Sequence, residues 1–223
     1  MNPRAFVALA FAGLLAACAS GPPAPPWQAE AKGAMERAAT AYLSGQSKGH
    51  EAELARARAA VAATGRAELA ARVELMDCAL RAASLDLDPC PRFEALRADA
   101  AAPERAYADY LAGRALTREA IALLPVAQQT AASARAAGNA TPAVTQAVED
   151  PLSRLIALAV LFQAGQASPA MIEQATDTAS AQGWRRPLLA WLKVQALRAE
   201  KAGDAAALQA LQRRIALVES APR

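Results

Sequence analysis

Apolar residues return every three or four positions along most of the chain. Leu69, Val73, Met76 and Leu80 are spaced this way, and so are Leu208, Leu211, Ile215 and Val218. At helical pitch this spacing gathers the side chains into one stripe, with arginine and glutamate on the opposite face. No stretch alternates apolar with polar residues as a half-buried strand does. Gly45, Gly65, Gly113, Gly138, Gly165 and Gly203 each follow an apolar or alanine-rich run, where a helix hands over to a turn. Thr117, Asp150, Ser168 and Asp204 stand where N-caps are needed, and Pro151 and Pro169 occupy the first helical position after two of them.

These signals predict an all-α body. Helices are expected at 27–44, 49–64, 66–85, 92–99, 103–112, 117–137, 151–164, 168–182, 184–202 and 204–219, with Pro125 breaking or kinking the sixth near Leu123–Leu124. The connections are short, about two to six residues, so consecutive helices fold back as antiparallel α-hairpins stacked in an array. Leu155–Phe162 is apolar without interruption. A helix apolar all round must be buried all round, which makes 151–164 the expected central helix. The stripe on 204–219 is expected to bury against the helix carrying Trp184 and Trp191.

Composition sharpens this picture in three ways. The 65 alanines weaken the 54 % hydrophobic figure, because alanine is more a helix former than a filler of cores. Aromatic residues make up only 4 % of the chain, leaving little material for β-sheet. The formal charge of +3, from 24 basic and 21 acidic residues, is too balanced for a nucleic-acid-binding face, and no nucleic acid is expected as partner.

The first residues carry a different message. Arg4 supplies a small positive region, and Ala5–Leu15 is an unbroken apolar run of about 16 Å as helix, against about 30 Å of bilayer hydrocarbon. It closes on Leu15-Ala16-Ala17-Cys18, which resembles the lipobox of bacterial lipoproteins. The resemblance implies that 1–17 is a signal peptide and that Cys18 becomes a lipidated N-terminus, the chain's anchor to the membrane. Ala19, in place of the aspartate that commonly retains such proteins at the inner membrane, implies the outer membrane, facing the periplasm. Four prolines between Ala19 and Pro26 make 18–26 a semi-rigid tether of about 25 Å. Residues 27–223 then form one α-helical domain.

Trp27 with Tyr42-Leu43-x-Gly45, and later Tyr110-Leu111-x-Gly113, resemble the aromatic and glycine that end the first helix of a tetratricopeptide repeat. The glycine intervals do not hold that family's constant period. The resemblance implies TPR-like stacking and, by analogy of fold, a role as a scaffold.

With Cys18 lipidated, Cys78 and Cys90 remain as a pair in an oxidising compartment. The helix holding Cys78 can run to about Ser84, rising about 9 Å, and Leu85–Pro89 is long enough to return that distance. Pro89 and Pro91 keep the neighbourhood of Cys90 in a turn. A disulfide is expected, the alternative being a buried Cys78 beside a free Cys90.

Catalytic motifs are missing: no Gly-x-Ser-x-Gly, His-Glu-x-x-His, phosphate-cradling loop or dinucleotide fingerprint occurs. No catalytic residue, metal or cofactor is expected. The single histidine, His50, reads as an exposed turn residue. Trp184 and Trp191, seven apart on one helix face, and Tyr107 with Tyr110, near a hairpin turn, are candidate partner-binding residues; core packing is the competing reading for both pairs. Arg185-Arg186 and Arg213-Arg214 read as solvated positions. The expected function is a lipid-anchored, periplasm-facing scaffold that binds another cell-envelope protein. The alternatives are an envelope hydrolase working through carboxylates, or a structural lipoprotein of no fixed partner.

Overall fold

The computed structural model describes residues 25–221; the signal segment, Cys18 and most of the tether lie outside the described residues. The described chain is all-α. Its helices run α1 Pro26–Leu43, α2 Ser47–Ala62, α3 Ala67–Ala83, α4 Pro91–Glu94, α5 Ala102–Leu111, α6 Arg118–Ala122, α7 Val126–Ala136, α8 Pro142–Gln146, α9 Pro151–Gln163, α10 Pro169–Ala181, α11 Arg185–Lys201 and α12 Ala205–Ser220.

The capping chemistry explains where several of these begin. The side-chain oxygens of Thr117, Asp150, Ser168 and Asp204 accept the backbone N–H of Ala120, Ser153, Met171 and Ala207. Each capped donor would otherwise be an orphan at the helix start. Gly113 ends α5 with φ +69°, and a Cβ there would stand 2.5 Å from Gln163 Oε1. The left-handed backbone favours glycine here, and an added Cβ would also have to displace the Gln163 side chain.

Three elements depart from the expected ones. Pro125 divides the 117–137 segment completely, into α6 and α7. The helix expected at 92–99 holds its α form only to Glu94 and continues as turns that bury Phe93. Helix α8 has no counterpart in the apolar pattern, because five residues cannot complete a stripe. Its buried residue is the polar Thr145, whose hydroxyl donates to Gln174 Oε1 on α10 at 2.5 Å.

Helix α9 is the axis of the fold. Every residue from Leu155 to Leu161 is buried, and α3, α5, α7, α8 and α10 pack around it. At the other end of the molecule, Ala31, Ala34 and Ala38 of α1 meet Leu54, Ala57, Ala60 and Val61 of α2 and Val73 of α3. Here alanine does fill the core, contrary to the expectation from composition. Its small side chain lets the helices approach closely.

The hairpin array curls back on itself, because α11 packs against α1 as well as against α10 and α12. Trp191 is 0 % exposed; its indole N–H donates to the Ala83 carbonyl at 3.2 Å, and its ring meets Phe162 edge-on at 5.6 Å. Arg186 donates from Nε to the Tyr42 carbonyl and from a terminal nitrogen to Ser47 Oγ, both at 2.8 Å. Its guanidinium also lies 4.3 Å above the centre of the Tyr42 ring. Arg185 hydrogen-bonds the carbonyls of Glu219 and Ala221 at the end of α12. The Arg185-Arg186 pair is therefore a pair of structural contacts, not a solvated face. Arg213 and Arg214 are exposed.

His50 is likewise not an exposed turn residue. It lies in the first turn of α2 and is 7 % exposed, with Nδ1 3.0 Å from the Ala38 carbonyl and Nε2 2.8 Å from Asp77 Oδ1. One imidazole thus ties α1, α2 and α3 together. The stripe of α12 is only half-buried: Leu211, Ile215 and Val218 rest against the main core, but no residue of α12 is fully buried. Its truncations should cost less than the roughly 2–5 kcal/mol of a buried leucine.

The sulfurs of Cys78 and Cys90 are 2.15 Å apart and their Cα atoms 5.9 Å apart, a disulfide distance. The link closes the corner between α3 and α4, as the spacing predicts.

Two outcomes test this account. Arg186→Ala removes two hydrogen bonds from a charged donor, at a cost of about 1–2 kcal/mol. Amide exchange should quicken at Tyr42–Ser47, and unchanged exchange there would remove Arg186 from the closure of the array. Alkylation of the unreduced, unfolded chain should find neither Cys78 nor Cys90 free. Reduction should lower stability by about 3 kcal/mol, the chain-entropy value for a loop of about 13 residues.

Candidate functional site

A groove of about 610 Å³ lies beside α9, between α3, α5 and the α6–α7 corner. Its wall is mostly apolar. Leu75, Met76 and Ala79 come from α3, Pro103 and Tyr107 from α5, and Leu152 and Ile156 from α9. Pro125 makes the rim. Leu124 is buried at this corner while Leu123 and Pro125 beside it are exposed. Leu123 is 43 % exposed and Val126 83 %, and both line the opening. Two apolar side chains held out at the edge of an apolar groove form a contiguous patch rather than scattered surface leucines.

Two buried polar side chains in the wall contrast: Gln128 is hydrogen-bonded through both its amide oxygen and its nitrogen, Glu104 through only one of its oxygens. Gln128, 1 % exposed, accepts from the Tyr110 hydroxyl at 2.9 Å and donates to the Ser153 carbonyl at 2.9 Å. This chain pins α5, α7 and α9 at fixed spacing, and so holds the groove open at a fixed width. Tyr107 and Tyr110 stack with centroids 6.3 Å apart and ring planes 19° off parallel. Burial pushes both hydroxyl pKa values well above the ordinary tyrosine range, with Asp150 adding to the effect at Tyr107.

Glu104 is the exception. It is 8 % exposed and lines the groove. Its Oε1 accepts from Arg72 Nε at 2.5 Å, whereas its Oε2 is buried with no hydrogen-bond partner among the described residues. Buried carboxylate oxygens are nearly always hydrogen-bonded, and an unmade bond is costly. Arg72, whose side chain is largely exposed, covers Glu104 from the solvent side.

The four aromatic candidates are not brought together. Trp191 is a core residue. Trp184 sits at the N-cap of α11, partly buried against the core. Tyr110 is buried beneath the groove, and Tyr107 alone lines it. Cys18 lies outside the described residues. The groove's own distinguishing residues, Glu104, Arg72, Leu123 and Val126, went unmarked in the sequence. Glu104 looks like any acidic residue in the first turn of a helix, where the macrodipole favours it. The one usable signal was Pro125 set inside the apolar run Ile121–Val126.

No protein family matches the chain, and no curated protein or solved structure is significantly similar to it.

Proposed function

We propose that this chain is a lipid-anchored, periplasm-facing binding module of the bacterial cell envelope, engaging another envelope protein through the α3–α5–α7–α9 groove. The observation that carries this reading is the groove with its exposed apolar rim. Its volume accommodates several large side chains at once. Leu123 and Val126 are held in water by a proline-broken corner, where they add nothing to the core and stand ready to be covered. Grooves between helices are a recurring docking place for partner segments that insert a few apolar anchors.

The N-terminal resemblance supplies the location. With Cys18 acylated, its chains hold the protein at the membrane, and the proline-rich stretch up to Pro26 sets the helical body off the bilayer. No helix among the described residues is long and apolar enough to cross a membrane. In this reading the acyl chains alone provide the anchor, and Ala19 favours the outer membrane.

A photo-crosslinking amino acid at Val126 in cells should yield one discrete adduct. The same group at Leu217, which is also well exposed but lies on α12 away from the groove, should yield none. Leu123→Asp should abolish the Val126 adduct without unfolding the protein. Equal labelling from both positions, or none from Val126, would reject the groove as the docking face. Separately, Cys18→Ser should move the protein into the soluble fraction after a high-salt wash; retention in the membrane pellet would refute the lipid anchor.

A further inference from the structure

His50 meets a hydrogen-bond acceptor at each ring nitrogen, and this sets how many protons the site holds. Nδ1 lies 3.0 Å from the Ala38 carbonyl of α1, and Nε2 lies 2.8 Å from Asp77 Oδ1 of α3. A carbonyl oxygen only accepts, so Nδ1 must carry a proton. An ionised carboxylate also only accepts, so Nε2 must carry one too. A neutral imidazole has a single N–H and serves one of these contacts, leaving a ring lone pair against the other oxygen. Protonating Asp77 instead would satisfy Nε2, but it needs the same second proton. The two contacts together call for an imidazolium with Asp77 as its counter-ion.

Burial by itself disfavours a charged ring. Here the carboxylate at 2.8 Å offsets that cost by Coulomb attraction and a charge-assisted hydrogen bond. The other charges packed around the site are engaged elsewhere. Arg58 of α2 donates to both carboxylate oxygens of Glu74 on α3, and Arg81 of α3 pairs with Asp86 and Asp88. From α11, Arg186 lies over the Tyr42 ring. That ring, contributed by α1, meets the imidazole edge-on at 4.9 Å. Burial pushes the Tyr42 hydroxyl pKa up to about 12, so it does not titrate near neutrality. His50 is left as the group here whose charge changes there.

We propose that His50 is a proton-operated latch, which fastens α1 and α2 to α3 while its ring is doubly protonated and loosens α1 when one proton is lost. The contact to Asp77 is the stronger, being charge-assisted. The remaining proton therefore stays on Nε2, and Nδ1 turns a lone pair toward the Ala38 carbonyl. Acid closes the latch and rising pH opens it, because the fastened form holds one proton more than a neutral ring. The effect reaches past α1. Tyr42, one turn beyond Ala38, gives its carbonyl to Arg186 of α11. Asp77 follows Met76 on α3, the helix that supplies one wall of the groove.

His50 is the single histidine of the chain, so its ring signals in ¹H–¹⁵N NMR of the full chain need no assignment by mutation. At neutral pH both ring nitrogens should carry protons and show the near-equal shifts of an imidazolium. As the pH is raised through the titration of the ring, amide protection factors at Ala38–Leu43 and in the first turn of α2 should fall about tenfold, the scale of one hydrogen bond to a charged group. Those of α9 should stay level. In Asp77→Asn the side-chain amide can donate to Nε2 of a neutral ring while the Nδ1 proton stays on the Ala38 carbonyl. This variant should hold a neutral ring at neutral pH and keep the latch closed throughout, with no pH response at Ala38–Leu43. A neutral ring at neutral pH in the unaltered chain would overturn the proposal. So would protection that stays level while the ring loses its proton, and neither of these outcomes depends on a variant. A pH response that survives Asp77→Asn would reject it as well.

Discussion

The burial of α9 is the constraint on which the rest of this structure depends. A helix with seven consecutive buried residues, Leu155–Leu161, cannot lie on a surface or face one neighbour; its whole circumference must be removed from water. That requirement draws α3, α5, α7, α8 and α10 around it and bends what would otherwise be a linear series of hairpins into a closed bundle. The polar contacts that bind distant parts of the chain then follow. Trp191 satisfies the Ala83 carbonyl at the buried end of α3, and Arg186 fastens the last hairpin to the turn between α1 and α2.

The groove is a by-product of the same packing. Around a fully apolar axis, short helices cannot cover every side. Where α6 ends at Ala122 and α7 begins at Val126, with Pro125 between them, the space between α3, α5 and α9 stays open. The Tyr110–Gln128–Ser153 chain keeps it at a set width. A buried hydrogen-bonded chain of this kind defines geometry more sharply than apolar contacts alone, since each link has a preferred direction and length. A hydrogen-bonded floor and an exposed apolar lip thus belong to one groove.

Two buried polar residues illustrate opposite outcomes of burial. His50 has acceptors at both ring nitrogens, from α1 and from α3, and acts as a fastening between helices. Glu104 is as deeply buried, but only one of its oxygens is used. The first is satisfied at both polar atoms, and the second leaves one oxygen buried without a partner among the described residues.

The sequence by itself determined the helices and their ends. Thr117, Asp150, Ser168 and Asp204 act as caps because capping is local: donor and acceptor lie three residues apart and need nothing from the rest of the fold. The central place of α9 was legible for a related reason, since an apolar face on every side admits one environment. Cys78 and Cys90 could be paired because only 12 positions separate them. Tertiary structure alone decided the fate of His50, Arg186, Trp191 and Glu104. Their partners lie 27, 144, 108 and 32 positions away, and a polar side chain looks the same in sequence whether it meets water or a distant carbonyl. The short α8 and the groove belong to this second group: five residues hold no period, and a gap between helices is set by the angles at which they meet.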